Sequence, residues 1–232
     1  MRIAGLLFDK DGTLFDFRQT WDGWAGRMIA ELAGNDPALM ATVARVVCYD
    51  LQDGGFLPDS PFIAGSNDQV ALALAAVLPQ YEPDELEALL SIRATEATLA
   101  PAVELSPFLA ELAGRGLMLG VMTNDSEYAA RAHLSEAGVE AQFQFIAGFD
   151  SGFGAKPSPR PLLAFADHVG LEPETVVMVG DSTHDLLAGR RAGMRTLGVL
   201  TGTALAGELA PLADAVLPDI GHIPVWLDSL TG

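Results

Sequence analysis

Three apolar runs that end abruptly in polar residues constrain this 232-residue chain more than any other feature. Ile3 to Phe8 stops at Asp9, Leu117 to Met122 at Thr123-Asn124, and Val176 to Val179 at Gly180-Asp181. Continuous runs of this length suit strands covered on both faces, as in a parallel sheet. Phe143 to Ala147 and Thr196 to Leu200 read as two further strands. Helical patterns lie between them. One starts at Ser106-Pro107 and stops at Gly116, one follows Ser126 to Gly138, one runs from Ser158-Pro159 to Gly170, and one spans Thr183 to Ala192. Alternation from residue 106 onward predicts an α/β core with a doubly wound, Rossmann-like parallel sheet. Ligands of such sheets bind at the carboxyl ends of the strands, so Asp9, Thr123 and Asp181 are predicted to share one edge.

Residues 17 to 100 break that rhythm. Leu39 to Val47, Val70 to Leu78 and Pro83 to Leu99 read as helices, and no strand stands out. The simplest division is a core made of 1–16 and 101–232, with an all-helical domain inserted at 17–100. The insertion carries four arginines, twelve acidic residues and no lysine.

Charge narrows the partners. The net charge of −18 repels nucleic acid and anionic membrane surfaces and favours divalent cations. Neither nucleic acid nor membrane is therefore expected as a partner, and an anion site must be built locally. The single cysteine, Cys48, permits no internal disulfide and no cysteine-based zinc site, and reads as a small buried hydrophobe. The N-terminal apolar run is too short for a signal core, and no stretch approaches about 20 apolar residues. The expectation is a cytoplasmic protein.

The chemistry gathers at the strand ends. Asp9 and Asp11 stand two apart, so in extended backbone both face one side, and Gly12 permits a tight turn bringing N–H groups near an anion. Alone, this pattern also fits a solvated acidic turn. Thr123 and Asn124 offer a hydroxyl and an amide, which also suit a helix cap. Lys156 is one of only two lysines, the other being Lys10, and it precedes a proline-fixed helix start. Asp181 and Asp185 are one helical turn apart and can face the same cleft, although acidity at a helix start is common. Magnesium takes carboxylates, waters and phosphate oxygens, which Asp9 and Asp181 can supply in part.

Taken in order, Asp9-x-Asp11-Gly12-Thr13, Thr123-Asn124, Lys156-Pro157 and Gly180-Asp181-(three residues)-Asp185 resemble the four motifs of the haloacid dehalogenase superfamily. The phosphoglycolate phosphatase-like branch is closest in wording and in the position of its helical cap. The resemblance implies a Mg²⁺-dependent phosphatase acting on a small phosphorylated metabolite through an aspartyl-phosphate. Asp9 would be the nucleophile. Asp11 would be the general acid/base, its backbone carbonyl a metal ligand. Gly12, Thr123 and Asn124 would hold phosphate, Lys156 would neutralise the transferring group, and Asp181 would bind metal with Asp185 behind it. Position 10 is usually apolar in these proteins; Lys10 is expected to turn away and pair with an acidic neighbour.

Related chemistries separate on single residues. Asp11 and Asp181 argue against dehalogenation, and a lysine-free cap argues against Schiff-base phosphonate cleavage. A sugar phosphomutase shares the same motifs, and a phosphate-binding module without turnover would lack one of them. Arg18 and Arg45 are candidates to receive a substrate carboxylate, or are ordinary helix arginines. Trp21 and Trp24 are expected between cap and core, or lining the cleft. His184 is expected to face outward or cap locally.

Overall fold

In the computed structural model, which describes residues 3–230, each of the three interrupted runs is a strand of one sheet. β1 (Gly5–Phe8) is followed by α1 (Phe17–Leu32), α2 (Pro37–Val46), a hairpin of β2 (Tyr49–Asp50) and β3 (Gly55–Phe56), α3 (Pro61–Ala64), α4 (Asn67–Ala75) and α5 (Pro83–Ala94). The chain then runs through α6 (Leu105–Gly114), β4 (Met118–Met122), α7 (Glu127–Glu136), β5 (Phe145–Ala147), α8 (Arg160–Val169) and β6 (Val176–Gly180). It ends with α9 (Thr183–Arg191), β7 (Arg195–Val199), α10 (Ala206–Leu209), β8 (Ala215–Leu217) and α11 (Ile223–Ser229).

The main sheet has the order β5-β4-β1-β6-β7-β8, and every pairing in it is parallel. After β1 the chain builds outward through β4 and β5, then returns to the other side of β1 for β6. Connections on the two sides of β1 thus run in opposite directions, which opens a crevice at its carboxyl end. Alternate residues feed the two faces. Leu6 and Phe8 join Val177, Val179, Leu119 and Val121 in one apolar cluster, covered in part by Phe108 and Leu109 of α6. Leu7, Val176 and Met178 join Leu162 and Phe165 of α8 in the other. Two covered faces are why these strands read as unbroken apolar runs.

The segment between β1 and β4 is helical apart from the two-residue hairpin, which was too short to leave a pattern. It builds its own apolar cluster around Trp24, Met28, Val43, Leu74, Leu86 and Leu90. Start signals work as written in the sequence. Asp36 accepts from the N–H groups of Ala38 and Leu39 ahead of Pro37, and Ser182 forms a capping box with Asp185 at the start of α9. The helix expected to reach Leu99 ends at Ala94. The edge strand β8, three half-buried residues, was not anticipated. Cys48 departs from its expectation too: it is only half-buried and has φ 49° at the turn into β2. No helix among the described residues is long and apolar enough to cross a membrane.

Candidate active site

The three polar strand ends meet in the crevice. The Asp9 N–H still donates to Val179 O (2.8 Å) and the Thr123 N–H to Ala147 O (3.0 Å), so both side chains leave from positions held by the sheet. Asp9, Thr123, Lys156, Asp181 and Asp185 are all buried. The Lys156 ammonium lies 2.7 Å from Asp9 Oδ1 and 2.6 Å from Asp185 Oδ1. Among the described residues, Asp9, Asp181 and Asp185 present carboxylate oxygens all within 4.8 Å of one another.

Three buried carboxylates against one lysine leave excess negative charge, and the titration of the site records it. Burial pushes Asp9 up to about 7; Lys156 lowers it, and Asp185 and Asp11 raise it again. Burial, then Asp185 and Asp9, lift Asp181 well above the usual carboxylate range. Burial alone would lower Lys156, but Asp185 and Asp9 hold it above the ordinary lysine value. An all-oxygen set strained by like charge is what a hard divalent cation relieves. Space around Asp181 is kept by two glycines. A Cβ on Gly12, which has φ 77°, or on Gly202 would overlap the Asp181 carboxylate. Thr201 ties the two loops together by donating to Gly12 O (2.7 Å). These residues fit a bound divalent metal, with Asp9 and Asp181 as the candidate side-chain ligands. Asp185 is differently engaged: Oδ1 meets Lys156, and Oδ2 accepts from Ser182 N–H (3.0 Å) and Oγ–H (2.7 Å).

A melting experiment tests this electrostatic reading. For Asp9 and Asp181 the folded-state pKa is raised, so their contribution to stability is fullest below the ordinary carboxylate range. It is lost as pH climbs, for Asp9 through about 7. Bound metal offsets that loss. Magnesium at ~100-fold above its Kd should raise Tm by about 5–10 °C at pH 8 and far less at pH 5. An equal shift at both pH values would contradict the assignment. Comparing samples with and without metal at each pH cancels the opposite contribution of a buried histidine described next.

Lys10 is fully buried and uses all three ammonium protons. It meets Asp11 (2.9 Å to Oδ2), Asp125 (3.1 Å) and Nδ1 of His133 (2.8 Å), and stands 5.3 Å from the centre of the Trp21 ring. The expected acidic pairing is therefore present, but one partner is Asp11 itself. His133 Nε2 lies 2.7 Å from Ala94 O at the end of α5, so Nε2 carries the proton and Nδ1 accepts from Lys10. Burial and the neighbouring Lys10 lower His133 to about 4, in keeping with a neutral ring. Burial works against the Lys10 charge, and Asp11 and Asp125 overcome it.

The remaining predicted residues fall as follows. The Asp11 side chain lines the cleft, outside the three-carboxylate group, and accepts from Trp21 Nε1 (2.8 Å). Thr123 lines the cleft, its Oγ1 accepting from Asp125 N–H (3.1 Å). Asn124 also borders the cleft. Its amide, however, is bonded at both ends to the backbone of Lys156, donating to the carbonyl (3.0 Å) and accepting from the N–H (2.8 Å). Asn124 thereby fixes the Lys156 loop. His184, expected to face outward or cap locally, is half-buried and lines the cleft. Arg18 and Arg45 are exposed and absent from the lining, whereas Trp21 and Trp24 belong to it. Sequence reasoning missed Asp125, His133, Thr201, Gly202 and Asn67, which lines the cleft and donates to Asp125 Oδ1 (2.8 Å). Asp125, directly after Thr123-Asn124, was the one with a local signal.

Comparison with known proteins identifies the family. The family model of haloacid dehalogenase-like hydrolases matches residues 3–193. A phosphoglycolate phosphatase of Xanthomonas campestris is 31% identical over 212 residues, covering 90% of this chain and 87% of the relative. One from Rhodospirillum rubrum is 31% identical over 232 residues, covering 96% and 90%. The fold also matches a HAD family hydrolase of Deinococcus radiodurans, solved with bound phosphate and sodium. That match has a TM-score of 0.67 at 21% identity, covering 99% of this chain and 96% of the other. With the matched model spanning most of its length, this chain belongs to the haloacid dehalogenase-like hydrolases.

Proposed function

We propose that the chain is a Mg²⁺-dependent phosphatase that hydrolyses a small phosphate monoester through an aspartyl-phosphate on Asp9. The observation that carries this reading is the Lys156 ammonium, buried between Asp9 and Asp185 at the carboxyl ends of the sheet. A buried cation beside a carboxylate lets that carboxylate approach an anionic phosphoryl group without net repulsion. It stays in place to balance charge on the equatorial oxygens during transfer. The Asp9 carboxylate attacks phosphorus, and the leaving oxygen takes a proton from Asp11, which later activates the water that cleaves the acyl phosphate. Thr123 and the turn at Gly12 hold the phosphate. Bound magnesium, held by Asp9, Asp181 and the Asp11 carbonyl, would supply further charge neutralisation on the phosphoryl oxygens. The 17–100 segment acts as a cap that excludes water and favours a small cytoplasmic metabolite over a protein or nucleic acid.

Steady-state phosphate release from 4-nitrophenyl phosphate, with magnesium and then with excess chelator, tests the core of this reading. Turnover that needs the metal is expected. Turnover unaffected by chelation, or none in either condition, would overturn it. Phosphoglycolate, named for the two relatives above, is the natural comparison ester. The arginines that could have received its carboxylate lie outside the cleft.

A further inference from the structure

Beside the carboxylates and Lys156, the cleft is lined by a group of apolar side chains contributed by the 17–100 segment: Phe17, Trp21, Trp24, Phe56, Phe62 and Leu90. The rings are locked against one another. Trp21 meets Trp24 at 5.1 Å between centroids, Phe56 meets Phe62 at 5.4 Å, and Phe17 meets Phe56 at 5.7 Å. Both indole N–H groups are already engaged, Trp21 with Asp11 and Trp24 with Arg93 O (2.8 Å each). The rings are largely buried in the 17–100 segment, and the edge they leave on the cleft is apolar.

The cations nearby are engaged as well. All three protons of Lys10 go to Asp11, Asp125 and His133. Lys156 serves Asp9 and Asp185, leaving one proton for the transferring phosphoryl group. Among the described residues no arginine lines the cleft, whereas Asp9, Asp11, Asp125 and Asp185 do. A second anionic group on the substrate would be desolvated beside four carboxylates and an aromatic wall.

Building on the phosphatase reading, we propose that the leaving alcohol is uncharged and carries an apolar ring, which the aromatic lining receives, and that carboxylated esters such as phosphoglycolate are disfavoured. Benzyl phosphate and phosphoglycolate both release primary alcohols, so comparing them tests recognition with little difference in leaving-group chemistry. With saturating magnesium, kcat/KM for benzyl phosphate should exceed that for phosphoglycolate by about 100-fold or more. Ile63, half-buried on the same lining, offers a converse test. Ile63→Arg should narrow the ratio at least ~10-fold by raising kcat/KM for phosphoglycolate.

Equal or faster cleavage of phosphoglycolate by the unmodified protein would overturn the proposal and leave the phosphatase reading standing. So would failure to cleave benzyl phosphate while 4-nitrophenyl phosphate is turned over. Failure to cleave any of the three would overturn both.

Discussion

Asp9→Asn should lower kcat on order of 10⁴-fold or more while leaving the protein folded. Asparagine keeps the size of the side chain and the hydrogen bond from Lys10 N–H to Oδ1 (2.7 Å). It loses the nucleophilic oxygen. It also removes one of three crowded carboxylates, the one that burial raises to about 7. Metal-free Asp9→Asn should therefore melt no lower than the unmodified protein at pH 8, where that carboxylate is ionised and least favourable. Steady-state rates and thermal melts on the same preparation separate the two effects. Turnover within ten-fold of the unmodified protein would remove Asp9 from the nucleophile role. A large drop in Tm would mean the loss of activity reflects misfolding.

Lys156→Met should be damaging in both respects. Lys156 is the cation that touches Asp9 and Asp185, and all three are buried. Without it the carboxylate cluster is uncompensated. Loss of one partner from a buried ion pair costs about 3–5 kcal/mol, which for a chain of this size is a fall of roughly 10 °C in Tm. Magnesium should recover part of that stability, because it neutralises the same carboxylates. It should not recover activity, because the charge facing the phosphoryl group is still missing. Lys156→Arg tests geometry: a planar guanidinium cannot place one small ammonium within 2.7 Å of both carboxylates, so partial stability with poor turnover is expected. Turnover of Lys156→Met within ten-fold of the unmodified protein would exclude the charge-neutralising role.

The edge of the sheet that carries the candidate site was legible in the sequence for a physical reason. A strand buried on both faces must be apolar throughout, so the first polar residue marks where the chain leaves the sheet. That boundary drew attention to Asp9, Thr123 and Asp181, and the chemical fit of the three together carried the reading. Residues whose partners are remote in sequence could not be found. His133 lies on an ordinary amphipathic helix, and nothing local indicates that its ring faces Lys10, 123 positions away. Asn124 looked like a phosphate ligand because its chemistry fits one. Only the path of the chain reveals that both ends of its amide meet the Lys156 backbone. The helix α1 was hidden for a different reason. Its buried positions Phe17, Trp21, Trp24, Ala25, Met28, Ile29 and Leu32 follow a helical period, but Gly23 and Gly26 interrupt it with the weakest helix formers short of proline. With α1 unread, Trp21 and Trp24 were considered for the cleft but Phe17, Phe56 and Phe62 beside them were not.

The Lys10 cluster carries a consequence for how this sequence can change over time. An apolar residue at position 10 cannot arrive alone. It would leave Asp11 and Asp125 close together with no cation between them, and the His133 Nδ1 acceptor empty. Changing Asp125 or His133 first leaves a buried ammonium short of a partner instead. Each single step is worse than either end state, since residues sharing one network are not independent in their effects. Substitutions at positions 10, 125 and 133, scattered over half the chain, should therefore be non-additive, the triple change costing less than its separate steps sum to.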